Sequence, residues 1–175
     1  MPIIINKIGE HRNTDAVTFL INYMSSSPYA GYAGGRGIVS LSPVQVINDF
    51  NFVKALYEKE DHKMISHIII GTDLKEQILE TELSEMAETI TDYFFQKGFQ
   101  SFYVTHRGSG GNSDYLHLHM AINTINFLSG NRYYETYGNA SDIKNVLSMK
   151  YNEYQWFLIN DNSQRWEEGL DHLQE

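Results

Sequence analysis

The sequence predicts an α+β fold: a mostly antiparallel central sheet with helices on one face and an open face that carries the site. Three observations lead there. Periodic segments follow one another as strand, helix, helix, strand, helix, strand, strand, helix, an order without the regular βαβ repeat of a parallel sheet. Residues Tyr115–Asn123 alternate strictly, so Leu116, Leu118, Met120 and Ile122 share one side and His117 and His119 the other. Residues Thr81–Lys97 instead carry a helical stripe of Leu83, Met86, Ala87, Ile90 and Phe94, suited to covering one side of such a sheet.

Taken in order, Pro2–Lys7 is an apolar first strand. Asp15–Met24 is a helix capped by Asn13 or Thr14, with Val17, Leu20, Ile21 and Met24 at i, i+3, i+4, i+7. Residues 25–37, rich in Ser and Gly with two tyrosines, read as a long loop. Ser42-Pro43 starts a second helix striped by Val46, Phe50, Val53 and Tyr57. Met64–Ile70 is a β-branched strand, and Gly98 stops the helix that precedes the strand Gln100–Thr105. Ser141 caps a last helix from Asp142 to Phe157, on which Tyr151 and Tyr154 fit a packing stripe with Val146, Met149 and Trp156.

A chain of 175 residues fits one domain, here 1–160, followed by an acidic tail over 161–175. Cysteine is absent, which excludes disulfides and thiolate metal sites and agrees with a cytoplasmic location. No apolar run approaches the ~20 residues of a membrane span, so no membrane insertion is expected. The net charge of −9 argues against a simple phosphate-neutralising binder. That charge is concentrated, however. Residues 73–92 hold seven acidic groups and 153–175 hold six, and the remainder of the chain is net +2.

Three of the seven histidines fall within fourteen residues. On a pleated strand His117 and His119 lie about 7 Å apart on one side, a spacing that converges on one divalent ion if a third ligand approaches. His106 is the candidate, brought alongside by a hairpin through the Gly, Ser and Asn residues that follow it. Since His106 shares strand parity with the apolar Phe102 and Val104, it is expected to leave the pleat through a bulge.

The run His106…Asp114-x-x-His117-x-His119-x-x-x-Asn123, followed by Asn126 and Ser129-Gly130-Asn131, resembles the histidine motif of plasmid relaxases, mobilisation nucleases of the HUH endonuclease superfamily. Ile21-Asn22-Tyr23 on the first helix and Ser66-His67-Ile68-Ile69-Ile70 resemble further segments of that family, over roughly residues 1–160. The resemblance implies a relaxase: a site- and strand-specific, metal-dependent DNA endonuclease and transesterase that nicks single-stranded DNA at an origin of transfer, leaving a 5′-phosphotyrosine and a free 3′-hydroxyl. It implies Tyr23 as nucleophile, His106, His117 and His119 as metal ligands, and Asp114 and Asn123 as residues supporting them. The implied ion is Mn²⁺ or Mg²⁺, with Zn²⁺, Ni²⁺ or Co²⁺ able to occupy the site, and accessory mobilisation proteins are implied partners.

The helical wheel sets Tyr23 off the core stripe, which fits either a further core contact or a stacking surface for bases. Tyr23 lies about 110° from the centre of the apolar stripe by the helical period, with Phe19 one turn before it on the same flank. Phe19, Tyr29, Tyr32, Arg36 and Arg107 are the expected DNA contacts, the loop residues closing over a strand held by stacking and a few cations. Three other readings fit less of the pattern. They are a replication initiator or transposase using Tyr151 or Tyr154, a metal hydrolase activating water, and a non-catalytic nucleic-acid-binding module.

Overall fold

The computed structural model describes residues 2–7, 13–72, 78–109, 112–134 and 137–161; the side chains of 109, 112–115, 137–138 and 160–161 lie outside the description. The elements run β1 (Ile3–Lys7), α1 (Ala16–Ser26), β2 (Ala30–Arg36), α2 (Pro43–Leu56), β3 (Ile65–Gly71), α3 (Glu80–Gln96), β4 (Ser101–Ser109), β5 (Asn112–Asn123), α4 (Tyr137–Lys150) and β6 (Phe157–Asp161). The strands form one sheet in the order β2-β4-β5-β3-β1-β6. Its pairs are antiparallel except β1 with β6. The α+β class and the mostly antiparallel sheet are therefore as the sequence predicts.

The alternation in β5 sorts the core. Leu116, Leu118, Met120 and Ile122 pack with Leu83, Met86, Ile90 and Phe94 of α3 and Ile143 and Leu147 of α4. The opposite face of the sheet is not bare. Phe102, Val104, Ala121 and Ile65 pack there beneath Val17, Leu20, Ile21 and Met24 of α1 and Val46 and Phe50 of α2. Helices thus lie on both faces, because α1 and α2 each have an apolar stripe that must also be buried. What stays open on the second face is its β1–β6 side, where Ile5 and Ile69 pack with half-buried Ile3 beside Phe157 and Ile159, which are 39% and 42% exposed.

Two strands and one helix boundary differ from the sequence expectation. Residues 30–36 are an edge strand hydrogen-bonded to β4, not a loop. The strand Ala-Gly-Tyr-Ala-Gly-Gly-Arg lacks branched residues because α3 lies close against it. A Cβ at Gly34 would stand 2.5 Å from the Tyr103 ring and 2.6 Å from Glu88 Oε1. The last helix begins at Tyr137 and ends at Lys150, with Ser141 inside it. Its buried residues are Ala140, Ile143 and Leu147, whereas Met149 is 84% exposed. The apolar stripe is therefore phased differently from the expected one, and the residues after Trp156 form β6. Gly98 does stop α3, at φ 86°, a left-handed conformation that favours glycine.

Lys54 of α2 is buried at 1% exposure, its amine donating to Asn123 Oδ1 at the end of β5. Desolvation, and then the Arg132 charge, push its pKa down from 10.5 to about 7. Between these values the unfolded chain holds a proton that the folded chain lacks, so stability rises with pH from about 7 toward 10.5. The Lys54→Met variant should flatten that rise, read as urea midpoints at several pH values across the window. An unchanged slope would assign the pH dependence to other groups.

Candidate metal centre

The β4–β5 hairpin sets the centre. His106 and His117 are directly opposed across it, and His119 faces Val104 two residues on. Since paired and alternate residues share a face, all three imidazoles project to the side covered by α1. Their ring centroids are 5.4 Å (His106–His117), 4.6 Å (His106–His119) and 4.9 Å (His117–His119) apart. One ring nitrogen from each lies within 4.8 Å of the others. His106 reaches this place without leaving the pleat; the register shift falls beyond it, between Arg107 and Ser109. The expected bulge is unnecessary because the face that carries Phe102 and Val104 is itself the site's face.

All three rings are buried, at 4%, 5% and 0% exposure. Burial, then the neighbouring His67, His117 and His106, hold His119 well below the ordinary imidazole pKa. Burial also lowers His106, opposed by its hydrogen bond to the Met24 carbonyl. Neutral imidazoles keep a lone pair for a metal. Nδ1 of His117 and Nε2 of His119 are buried ring atoms without a hydrogen bond, although both residues make other contacts. That donor set fits a divalent cation. Among the described residues no carboxylate joins it.

Helix α1 brings Tyr23 to the same place. Its ring lies edge-on to His119 at 5.4 Å and to His106 at 6.4 Å. One residue further on, the Met24 carbonyl accepts a hydrogen bond from His106 Nε2 at 2.7 Å. Phe19, 66% exposed, lies nearly parallel to Tyr23 with ring centroids 6.5 Å apart.

The other candidates are distributed differently. The Asp114 side chain lies outside the described residues. Asn123 lies on the same face four residues beyond His119, where it hydrogen-bonds Lys54, Gln100 Oε1 and the Phe50 carbonyl. Arg36 pairs with Glu88 and Asp92 of α3 at 2.6 and 2.7 Å, and Arg107 with Glu80 at 3.3 Å. Tyr29 and Tyr32 are exposed, but strand hydrogen bonding replaces the closing loop. The Tyr32 amide donates to Thr105 Oγ1, and the Arg107 amide to the Tyr29 carbonyl. Tyr151 and Tyr154 pack on the α3/α4 side, where their hydroxyls meet Thr89 and Glu82.

Sequence reasoning assigned no role to His67. It is 2% exposed on β3, and its Nε2 lies 3.0 Å from His119 Nδ1, the two ring planes 27° apart. Its signal was a lone polar ring inside a β-branched run, which the apolar pattern masks.

Residues 24–156, three-quarters of the chain, match the family model described as relaxase, MobA/VirD2-like, nuclease domain. The chain belongs to this relaxase family, and its general activity is that of a DNA-nicking endonuclease. The matched segment contains all three histidines and starts one residue after Tyr23. Searches of curated proteins and of solved structures give no match. No helix among the described residues is long and apolar enough to cross a membrane.

Proposed function

We propose that the protein is a metal-dependent relaxase that nicks single-stranded DNA at an origin of transfer by attack of Tyr23. The observation that carries this reading is the Tyr23 ring set edge-on against His119 at 5.4 Å, on the helix whose end His106 holds. The Tyr23 Oη forms a bond to the scissile phosphorus as the bond from phosphorus to the 3′-oxygen breaks. The phenolic proton is released and the leaving oxygen takes one up, giving a 5′-phosphotyrosine and a free 3′-hydroxyl. A divalent ion, when bound, supplies charge stabilisation at the phosphate that an unassisted phenol lacks. Mg²⁺ demands octahedral oxygen ligation, so three imidazoles weigh toward Mn²⁺ or a later first-row ion.

Exposed Phe19, parallel to Tyr23, offers a stacking surface beside the centre, and the apolar strip of Ile3, Phe157 and Ile159 lies on the same sheet face beyond Ile69, the cross-strand partner of His119. Such surfaces suit unpaired bases. The two arginines expected to hold phosphate are already paired with acidic residues of α3. Binding should therefore weaken only shallowly as salt rises.

Incubation with Mn²⁺ and single-stranded origin-region oligonucleotides should give a covalent protein–DNA band, with Tyr23 as the modified residue by mass spectrometry. The matching intact duplex should give far less. A nucleotide found on Tyr151 or Tyr154 would overturn the assignment, and so would cleavage with no adduct.

A further inference from the structure

We propose that His67 is a positioning residue for the metal centre: it accepts a hydrogen bond from Nδ1 of His119 and so keeps the Nε2 lone pair of His119 turned toward His106 and His117. The inference rests on the three-histidine reading and assigns a role to a fourth ring.

The argument is one of proton count. A neutral imidazole carries a single proton, and the nitrogen that faces a metal must be bare. With Nε2 of His119 on the cluster side, its proton sits on Nδ1, which lies 3.0 Å from His67 Nε2. That contact requires His67 Nε2 to be the acceptor, with the His67 proton on Nδ1. The opposite tautomer pair would place a proton on His119 Nε2 and close the site to a cation.

The surroundings hold the pair in this arrangement. His67 and His119 are 2% and 0% exposed, and Ile65 and Ile69, on either side of His67 on the same face, are 0% exposed, so water cannot replace either partner. The two rings lie within 27° of one plane with centroids 5.2 Å apart, the edge-to-edge arrangement that an in-plane N–H···N bond requires. The cross-strand partner of His67 is Ala121, two residues beyond His119 on the same face. Its methyl side chain leaves the diagonal open for the His67 ring to lean across β5. His67 is not itself among the converging donors, which are His106, His117 and His119. Partners of this kind, behind a metal-binding histidine, typically change metal affinity by roughly 10–100-fold when removed.

The test uses the full chain and Mn²⁺ alone, followed by calorimetry or electron paramagnetic resonance. His67→Leu keeps an apolar side chain in place but offers no acceptor; it should weaken Mn²⁺ binding by roughly 10–100-fold. His67→Gln, whose Oε1 falls close to the position of Nε2, should recover most of that loss. In the Zn²⁺-loaded parent, long-range proton–nitrogen correlation spectra should show His67 Nε2 bare and Nδ1 protonated, a measurement that needs no variant to fold. Parental affinity in a folded His67→Leu would overturn the inference, as would a folded His67→Gln no better than Leu, or a protonated His67 Nε2. If His117→Ala combined with His119→Ala also leaves Mn²⁺ binding intact, the three-histidine reading itself fails. If that pair loses binding and His67→Leu does not, only the role of His67 falls.

Discussion

Replacing Tyr23 with Phe is expected to abolish strand cleavage and the covalent adduct together, while folding and binding of single-stranded DNA persist. Only one oxygen is removed, and the Tyr23 ring packs against the α1/α2 core and stacks on Phe19, contacts that Phe can keep. Loss of a nucleophile that has no substitute costs on the order of 10⁶ in rate in a well-studied hydrolase, so activity should fall below detection. The same variant should fail to rejoin a nicked strand, since tyrosine attack conserves the phosphodiester energy and makes the step reversible. The measurement is a denaturing gel for the adduct beside a fluorescence-anisotropy titration for binding. Cleavage at the parental rate by Tyr23→Phe would point to water or another residue as the nucleophile.

The second large effect concerns the imidazoles. Parent protein should unfold at a higher temperature when Mn²⁺ is added, by about 2.7 kcal/mol of stabilisation at a hundredfold excess over the dissociation constant. The double variant His117→Ala with His119→Ala should show none. Because the two rings are 5% and 0% exposed, their removal also leaves space in the interior, and the metal-free variant should itself melt earlier. The informative quantity is therefore the metal-induced shift in each protein, not the absolute midpoint. An undiminished shift in the double variant would place the ion elsewhere. Cleavage should be lost along with the shift.

The parts of the fold that were legible in the sequence are those where one period dominates. Leu83, Met86, Ile90 and Phe94 announce α3, and the alternation of β5 separates His117 and His119 from Leu116 and Leu118. Where the sheet is covered on both faces, the rule of one apolar and one polar side gives the wrong geometry. That is why His106, in line with buried Phe102 and Val104, is expected to leave the pleat and instead stays in it. It is also why His67, inside an apolar strand, received no role from the sequence. β2 is illegible for a different reason: its residues were selected for thinness against α3, and glycine carries no strand signal. Asn123 took its expected role from the family resemblance, yet its side chain binds the amine of Lys54, Gln100 and the Phe50 carbonyl.

The 2.7 Å hydrogen bond from His106 to the Met24 carbonyl acts as a hinge pin between two parts of the chain that lie 82 positions apart. A carbonyl can only accept, so His106 spends its Nε2 proton there and keeps its Nδ1 lone pair. The carbonyl it grips belongs to Met24, the residue that follows Tyr23. Any shift of the hairpin that moves His106 therefore drags the end of α1 with it, and any slippage of α1 tugs on the ring. Alignment between phenol and imidazoles is inherited from this joint and does not depend on the length of the connection that follows the helix. In α1 itself a single extra residue between Tyr23 and Met24 would turn Tyr23 by about 100° relative to that joint, breaking the alignment with every other part of the sheet intact.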